Sequence, residues 1–140
     1  MFYHRGVQRV TMNKQIMIVD DEIHMLALME VILKRQGFIV LKATDAFTAL
    51  KMLDSLTPDL FILDIMIPGI DGIELCRLIR ALPRTARTPV IMFSVREDQD
   101  SIQRSMAAGA DEYIPKAARH TDLIDKIHSV LGTRQRILPN

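Results

Sequence analysis

Leu60-Phe61-Ile62-Leu63 is an unbroken apolar run that stops on an acid, Asp64. A run with no polar face fits a strand covered on both sides, as in the middle of a parallel sheet. Pro68, Gly69 and the pair Asp71-Gly72 break the chain before the next helical pattern begins. A doubly covered strand needs helices above and below it, which restricts the chain to the α/β class. An acid at the carboxyl end of such a strand stands where open α/β sheets keep their chemistry.

The rest of the chain repeats the pattern. Strands are expected at 15–19, 38–42, 60–63, 89–93 and 111–115, and helices at 22–36, 45–55, 72–81, 97–108 and 121–131. Gly37, Gly109 and Gly132 supply helix stops, and Thr121 is the expected N-cap of the last helix. The first helix is expected to bury Met25, Leu28, Met29, Ile32 and Leu33, leaving Ile23, Leu26, Ala27 and Val31 as apolar residues on its other sides. The runs at 15–19, 60–63 and 89–93 belong in mid-sheet, whereas Pro115 has no N–H to donate and places its strand at an edge. Right-handed crossovers and the order 2-1-3-4-5 satisfy both demands. The expected fold is therefore a flavodoxin-like (βα)5 doubly wound sheet of five parallel strands over residues 14–131. Residues 1–13 are expected to form a flexible arm, with Met12 as a candidate second start, and 132–140 a short tail.

Composition excludes several classes of function. A net charge of +1 offers no basic field for nucleic acid, so direct DNA binding is not expected. No apolar run approaches the roughly 18 residues of a membrane span, and no signal-peptide pattern opens the chain. The single Cys76 has no internal disulfide partner, which fits a reducing, cytoplasmic setting, and its place on an apolar helix face marks it as an inert core residue. His4, His24, His120 and His128 lack metal-ligand spacing and are assigned to the surface.

In a parallel sheet all carboxyl ends emerge on one rim, which here gathers Asp20, Asp21, Asp64, Ser94 and Lys116. Two bare carboxylates ~4 Å apart repel by roughly 4 kcal/mol at an intermediate dielectric, so the rim needs a cation. Hard oxygen donors of this kind suit Mg²⁺, which binds few carboxylates and keeps sites for water and phosphate. Lys116 adds a point charge able to meet phosphate oxygens.

Four segments carry a resemblance over residues 14–131: Ile18-Val19-Asp20-Asp21-Glu22, Leu63-Asp64-Ile65-Met66-Ile67-Pro68-Gly69-Ile70-Asp71-Gly72, Pro89-Val90-Ile91-Met92-Phe93-Ser94, and Ala107 to Lys116. In this order and spacing the chain resembles the receiver domain of bacterial two-component response regulators, in their stand-alone, chemotaxis-regulator-like form. The resemblance implies that Asp64 accepts a phosphoryl group from the phosphohistidine of a histidine kinase or phosphotransfer protein. It implies Mg²⁺, with Mn²⁺ as a substitute, held by Asp20, Asp21, Asp64 and the Met66 carbonyl. Ser94 and Lys116 would contact the phosphoryl group, Lys116 pairing with Asp64 beforehand. Ser94 would couple to Tyr113 and remodel the face of the fourth helix, fifth strand and fifth helix for a downstream protein target. A half-buried edge-strand aromatic that does not switch is the other reading of Tyr113. Such a protein is a phosphoacceptor that assists its own phosphorylation and dephosphorylation rather than an enzyme, and a homodimer is among its expected assemblies.

The chain departs from the family at two places. Ala117 follows Lys116 where a proline is usual, so the Lys116–Ala117 peptide is expected to be trans, with the following loop on a different path. Val95, after Ser94, is bulkier than usual and is expected to narrow access to Asp64. Ile23, Leu26 and Ala27 form a candidate kinase-docking stripe beside the acidic rim. Little chain follows the last helix, so no output domain is expected within these residues. Other readings ask for other residues. A degenerate receiver would act as a phosphorylation-independent interaction module. A flavodoxin-like nucleotide binder wants a Gly-, Ser- or Thr-rich loop after the first strand, where Asp20-Asp21-Glu22 stands. An aspartyl-phosphate hydrolase wants a second acid where Met66 stands.

Overall fold

The computed structural model describes residues 13–133, so the expectations for the arm before residue 13 and for the tail beyond 133 lie outside the described residues. The elements alternate throughout: β1 (Gln15–Val19), α1 (Ile23–Arg35), β2 (Ile39–Ala43), α2 (Ala46–Met52), β3 (Leu60–Leu63), α3 (Gly72–Ala81), β4 (Val90–Ser94), α4 (Gln99–Ala107), β5 (Glu112–Pro115) and α5 (His120–Leu131). The strands form one parallel sheet in the order β2-β1-β3-β4-β5, as the apolar runs and Pro115 require. Val19 lies beside Leu63, Leu63 beside Met92, and Ser94 beside Pro115. This register brings the carboxyl ends of four strands onto one rim.

Side-chain alternation along the strands divides the core in two. Met17, Val19, Phe61, Leu63, Val90 and Met92 pack with Ala46, Ala49, Ile73, Cys76 and Ile79 of α2 and α3. Ile16, Ile18, Leu60, Ile62, Ile91 and Phe93 pack with residues of α1 and α5. All four side chains of β3 are buried, each worth about 1.5–3 kcal/mol of gross hydrophobic stabilisation. Asp64 is thus held at the end of a fully covered strand.

The structure moves several boundaries for identifiable reasons. After α1 the Gly37 N–H donates to the Lys34 carbonyl and the Phe38 N–H to Leu33, with Gly37 at φ 95°. This Schellman closure uses Phe38, so β2 starts at Ile39 rather than 38. The same closure at Gly109 and Ala110, onto Met106 and Ser105, shortens α4 and delays β5. In α2, Asp45 is the N-cap, accepting from the Thr48 N–H at 2.7 Å, and the helix ends at Met52. The expected N-cap Thr121 lies inside α5, which starts at His120 after Arg119 without a side-chain cap.

The phase of α1 also differs from expectation. Its buried line is Leu26, Met29 and Leu33, at helical spacing, whereas Leu28, expected inward, is 41% exposed. Leu26 is therefore a core residue, and only Ile23, Ala27 and Val31 of the outer stripe face solvent.

His128 is buried rather than superficial. Its Nδ1 is 2.7 Å from Thr133 Oγ1 and its Nε2 3.1 Å from Gln36 Oε1, with the ring tilted against Phe38. Burial pulls its pKa below the ordinary imidazole value. Arg80 is a second polar anchor. Its guanidinium donates to the carbonyls of Gly109, Thr85 and Thr88 and pairs with Asp111 at 3.0 Å. Among the described residues no helix is long and apolar enough to cross a membrane.

Candidate functional site

Asp64 continues β3 by one residue, its N–H donating to the Val19 carbonyl at 2.9 Å. The loop then folds back, with the Met66 N–H donating to Asp64 Oδ1 at 3.2 Å and the Gly72 N–H to the Ile65 carbonyl at 2.9 Å. A Cβ at residue 72 would stand 2.0 Å from the Asp64 carbonyl oxygen and 2.9 Å from Ile65 Cα, closer than atoms pack. Gly72, legible in the sequence only as a turn residue, allows the first turn of α3 to rest directly against the acid's backbone. Asp71 caps that helix by accepting from the Glu74 N–H.

The end of β1 supplies the other acids. Asp20 is buried, and its Oδ1 accepts from the Glu22 N–H at 2.9 Å, while Asp21 is exposed. One oxygen from each of Asp20, Asp21 and Asp64 lies within 4.8 Å of the others. Three hard oxygen donors so placed fit a small divalent cation. The Met66 side chain is 52% exposed.

Lys116 reaches this cluster from β5. Its Nζ lies 2.7 Å from Asp20 Oδ2, 3.0 Å from Asp64 Oδ2 and 3.9 Å from Glu22 Oε1, with the side chain only 8% exposed. The peptide after it is trans, as expected for a bond without proline. The Lys116 N–H donates to the Ser94 carbonyl at 2.9 Å, which extends the β4–β5 pairing and aims the side chain at the rim. Burial pushes the Asp20 carboxyl above its ordinary pKa, and bonds from Lys116 and the Glu22 N–H only partly offset this. Burial alone would lower the Lys116 ammonium, but its bonds to Asp20 and Asp64 reverse that, so its pKa stands above the usual lysine value.

Ser94 is fully buried, and its Oγ accepts from the Arg96 N–H at 3.3 Å. The half-buried Tyr113 donates its hydroxyl to the Arg96 carbonyl. Burial raises the Tyr113 pKa, and a bond with the Ser94 hydroxyl works against that rise. Arg96 thus joins Ser94 to Tyr113 through its backbone, a role that no side-chain pattern could disclose. Val95 beside it is 63% exposed.

The proposed docking stripe is divided. Ile23, 71% exposed, and Ala27 face solvent, while Leu26 belongs to the core and contributes to the floor of a groove of ≈ 320 Å³ lined also by Ala43, Thr44 and Thr48. Cys76 lies away from the rim, fully buried, with a thiol pKa pushed up by burial.

Residues 16–128 match the family described as the response regulator receiver domain. The transcriptional regulatory protein AfsQ1 of Streptomyces coelicolor is 36% identical over 86% of this chain and 52% of its own length. The chain therefore spans about half the length of the curated relatives it matches. Among solved structures, a CheY-like response regulator receiver domain protein from Methanospirillum hungatei is 31% identical with a TM-score of 0.80, covering 85% of this chain and 94% of that one. The BeF3-activated N-terminal receiver domain of Klebsiella pneumoniae RstA is 26% identical with a TM-score of 0.79, covering 84% of this chain and 98% of that one.

Proposed function

This chain belongs to the response regulator receiver family of two-component systems, and from that premise we propose that Asp64 is its phosphoryl acceptor, taking the group from the phosphohistidine of a histidine kinase or histidine phosphotransfer protein. The observation that carries the proposal is the convergence of Asp20, Asp21, Asp64 and Lys116 within a few ångströms on one rim. An Asp64 carboxylate oxygen forms the new P–O bond as the P–N bond to the donor imidazole breaks. Transfer of this kind needs positioning and charge neutralisation more than covalent help. Asp64 is positioned by its bond to Val19 and by the close packing of Gly72.

The carboxylates of Asp20, Asp21 and Asp64 and the Met66 carbonyl are the proposed ligands of Mg²⁺, for which Mn²⁺ can substitute. Bound there, the ion supplies electrostatic stabilisation to the transferring phosphoryl group. Lys116 supplies a further positive charge, and Ser94 turns its hydroxyl from the Arg96 N–H toward a phosphoryl oxygen. That turn releases one of the two backbone bonds at Arg96, and Tyr113 holds the other, so the face formed by α4, β5 and α5 responds to the state of Asp64. The RstA receiver, similar to this chain, is described as BeF3-activated, and a BeF3 group bound to a carboxylate has the tetrahedral shape of a phosphoryl group. The groove beside Ile23 and Ala27 is the proposed seat of the phosphohistidine donor, next to the acidic rim. The receiver unit spans residues 14–131.

Incubation with acetyl phosphate and Mg²⁺, followed by intact mass, should add one phosphoryl group per chain. Asp64→Asn should abolish the gain. Equal labelling of that variant would rule out Asp64 as the acceptor.

A further inference from the structure

A net charge of +1 conceals a separation of charge along the strands. All 17 acids lie between residues 20 and 125, whereas residues 1–12 and 134–140 carry Arg5, Arg9, Arg134 and Arg136 and no acid. Asn13 leads into β1 and Thr133 follows α5, so both stretches join the molecule at the amino-end pole of the sheet, opposite the rim that holds Asp64. A five-residue strand separates the two poles by roughly 17 Å. The last turns of α1, α2 and α4 bring Lys34, Arg35, Lys51 and Arg104 to this pole, and the loop after α3 adds Arg84 and Arg87. Acids are fewer here. Asp111 is paired with Arg80 at 3.0 Å, which leaves Asp54 and Asp59 against these bases, while Lys34 and Arg104 also meet Glu30 and Asp100 of their own helices. The preference for cations at helix C-termini accounts for the bases of the last turns. It does not account for Arg84 and Arg87, which follow α3, nor for the four arginines outside residues 13–133.

Three large apolar side chains are exposed at the same pole: Ile39 where β2 begins, Leu82 where α3 ends and Met106 in the last turn of α4. A surface that mixes cations with aliphatic side chains fits the boundary of an anionic bilayer, where lipid phosphates and acyl chains lie at neighbouring depths. A nucleic acid would use the cations but not the aliphatics, and among the described residues the aromatic at this pole, Phe38, is buried and offers no base a stacking face. We propose that the amino-end pole is a docking surface for an anionic lipid membrane, on which the molecule lies without crossing it. Attraction at this pole and repulsion of Asp20, Asp21 and Asp64 from the same lipids orient the molecule with its rim toward solution. Because exposed charges carry the contact, added salt weakens it.

Co-sedimentation of the full chain with vesicles of phosphatidylcholine and phosphatidylglycerol in equal parts, at pH 7 and about 20 mM NaCl, tests the proposal. Partitioning should exceed that onto pure phosphatidylcholine by at least about 10-fold and fall by about 10-fold at about 300 mM NaCl. Lys51→Glu combined with Arg87→Glu, both at exposed positions, should lower it by at least about 10-fold. Lys42→Glu combined with Arg119→Glu makes the same change in net charge toward the rim, since Lys42 precedes the last residue of β2 and Arg119 precedes α5, and should leave partitioning within about twofold of the parent. Circular dichroism checks that each variant is folded, and Lys51→Gln with Arg87→Gln replaces the reversed pair should that pair unfold. Equal partitioning of the parent onto both kinds of vesicle, or equal loss in the two double variants, overturns the proposal. Binding of the parent to duplex DNA without binding to the anionic vesicles overturns it in favour of a nucleic acid at this pole.

Discussion

Gly72→Ala is the substitution in which packing and chemistry are most directly joined. Alanine is a better helix former than glycine, and Gly72 opens α3, so local propensity favours the change. The tertiary contact opposes it. The new methyl would lie 2.0 Å from the Asp64 carbonyl oxygen and 2.7 Å from its carbon, where real contacts begin near 3.0 Å. Backbone lines the far side of the contact, so no flexible side chain can yield. The first turn of α3 and the end of β3 must part by ~1 Å, which weakens the bond from the Gly72 N–H to Ile65 and tilts Asp64. Overpacking on this scale costs about 1–3 kcal/mol. A misplacement of ~1 Å at a reacting group lowers a transfer rate by about 100-fold. Initial rates of acetyl phosphate labelling, read by intact mass beside urea denaturation, measure both effects. Gly69→Ala is the control. Gly69 has φ +75° and open space around its Cβ position, so alanine there adds backbone strain of about 1–2 kcal/mol without pressing on Asp64. Comparable stability loss in both variants, with slow labelling only in Gly72→Ala, is expected. Labelling of Gly72→Ala at the parent rate would refute the reasoning.

Two further expectations concern stability. The folded pKa of His128 lies below its unfolded value of about 6.5, so on acidification the unfolded chain takes up the proton first. Stability is full above that value and falls as pH drops below it, and His128→Gln should flatten the urea midpoint between about pH 7.5 and 5.5; an unchanged slope would count against the buried, neutral imidazole. Arg80→Ala should cost about 2–4 kcal/mol by leaving the carbonyls of Gly109 and Thr88 without their charged donor. Because Arg80 lies away from the rim, Mg²⁺ affinity should not change, as calorimetry would report.

The sheet order was legible because its cause is local. Unbroken apolar runs mark doubly covered strands, and Pro115 marks an edge. The carboxyl-end residues followed from topology alone, since one parallel sheet forces Asp20, Asp64, Ser94 and Lys116 to one side. The phase of α1 was not legible. Nine of the thirteen residues from Ile23 to Arg35 are apolar, so several faces compete, and only contact with the sheet selects the line through Leu26. His128 was misplaced for a related reason, since one of its partners, Gln36, is 92 residues away. The closure at Phe38 and the bonds at Arg96 are made by backbone groups, which every residue type carries alike. Lys116 shows the opposite case, in which a missing proline suggested a different path for the loop after it, while strand pairing through its own N–H aims its side chain at the rim.

The loop between β4 and α4 is tied to the strand ends at Arg96, by a donated bond to Ser94 and an accepted bond from Tyr113, while Asp98 anchors its far end as the cap of α4. On the proposed turn of Ser94 toward a phosphoryl oxygen, the first bond is lost and the second stays, so residues 95–97 would gain freedom before they change place. A signal sent this way is a change in disorder, and its earliest trace would be faster hydrogen exchange at the Arg96 amide. A partner that favours one state of Asp64 over the other then discriminates by how much order it must impose on that loop, as well as by the shape it meets.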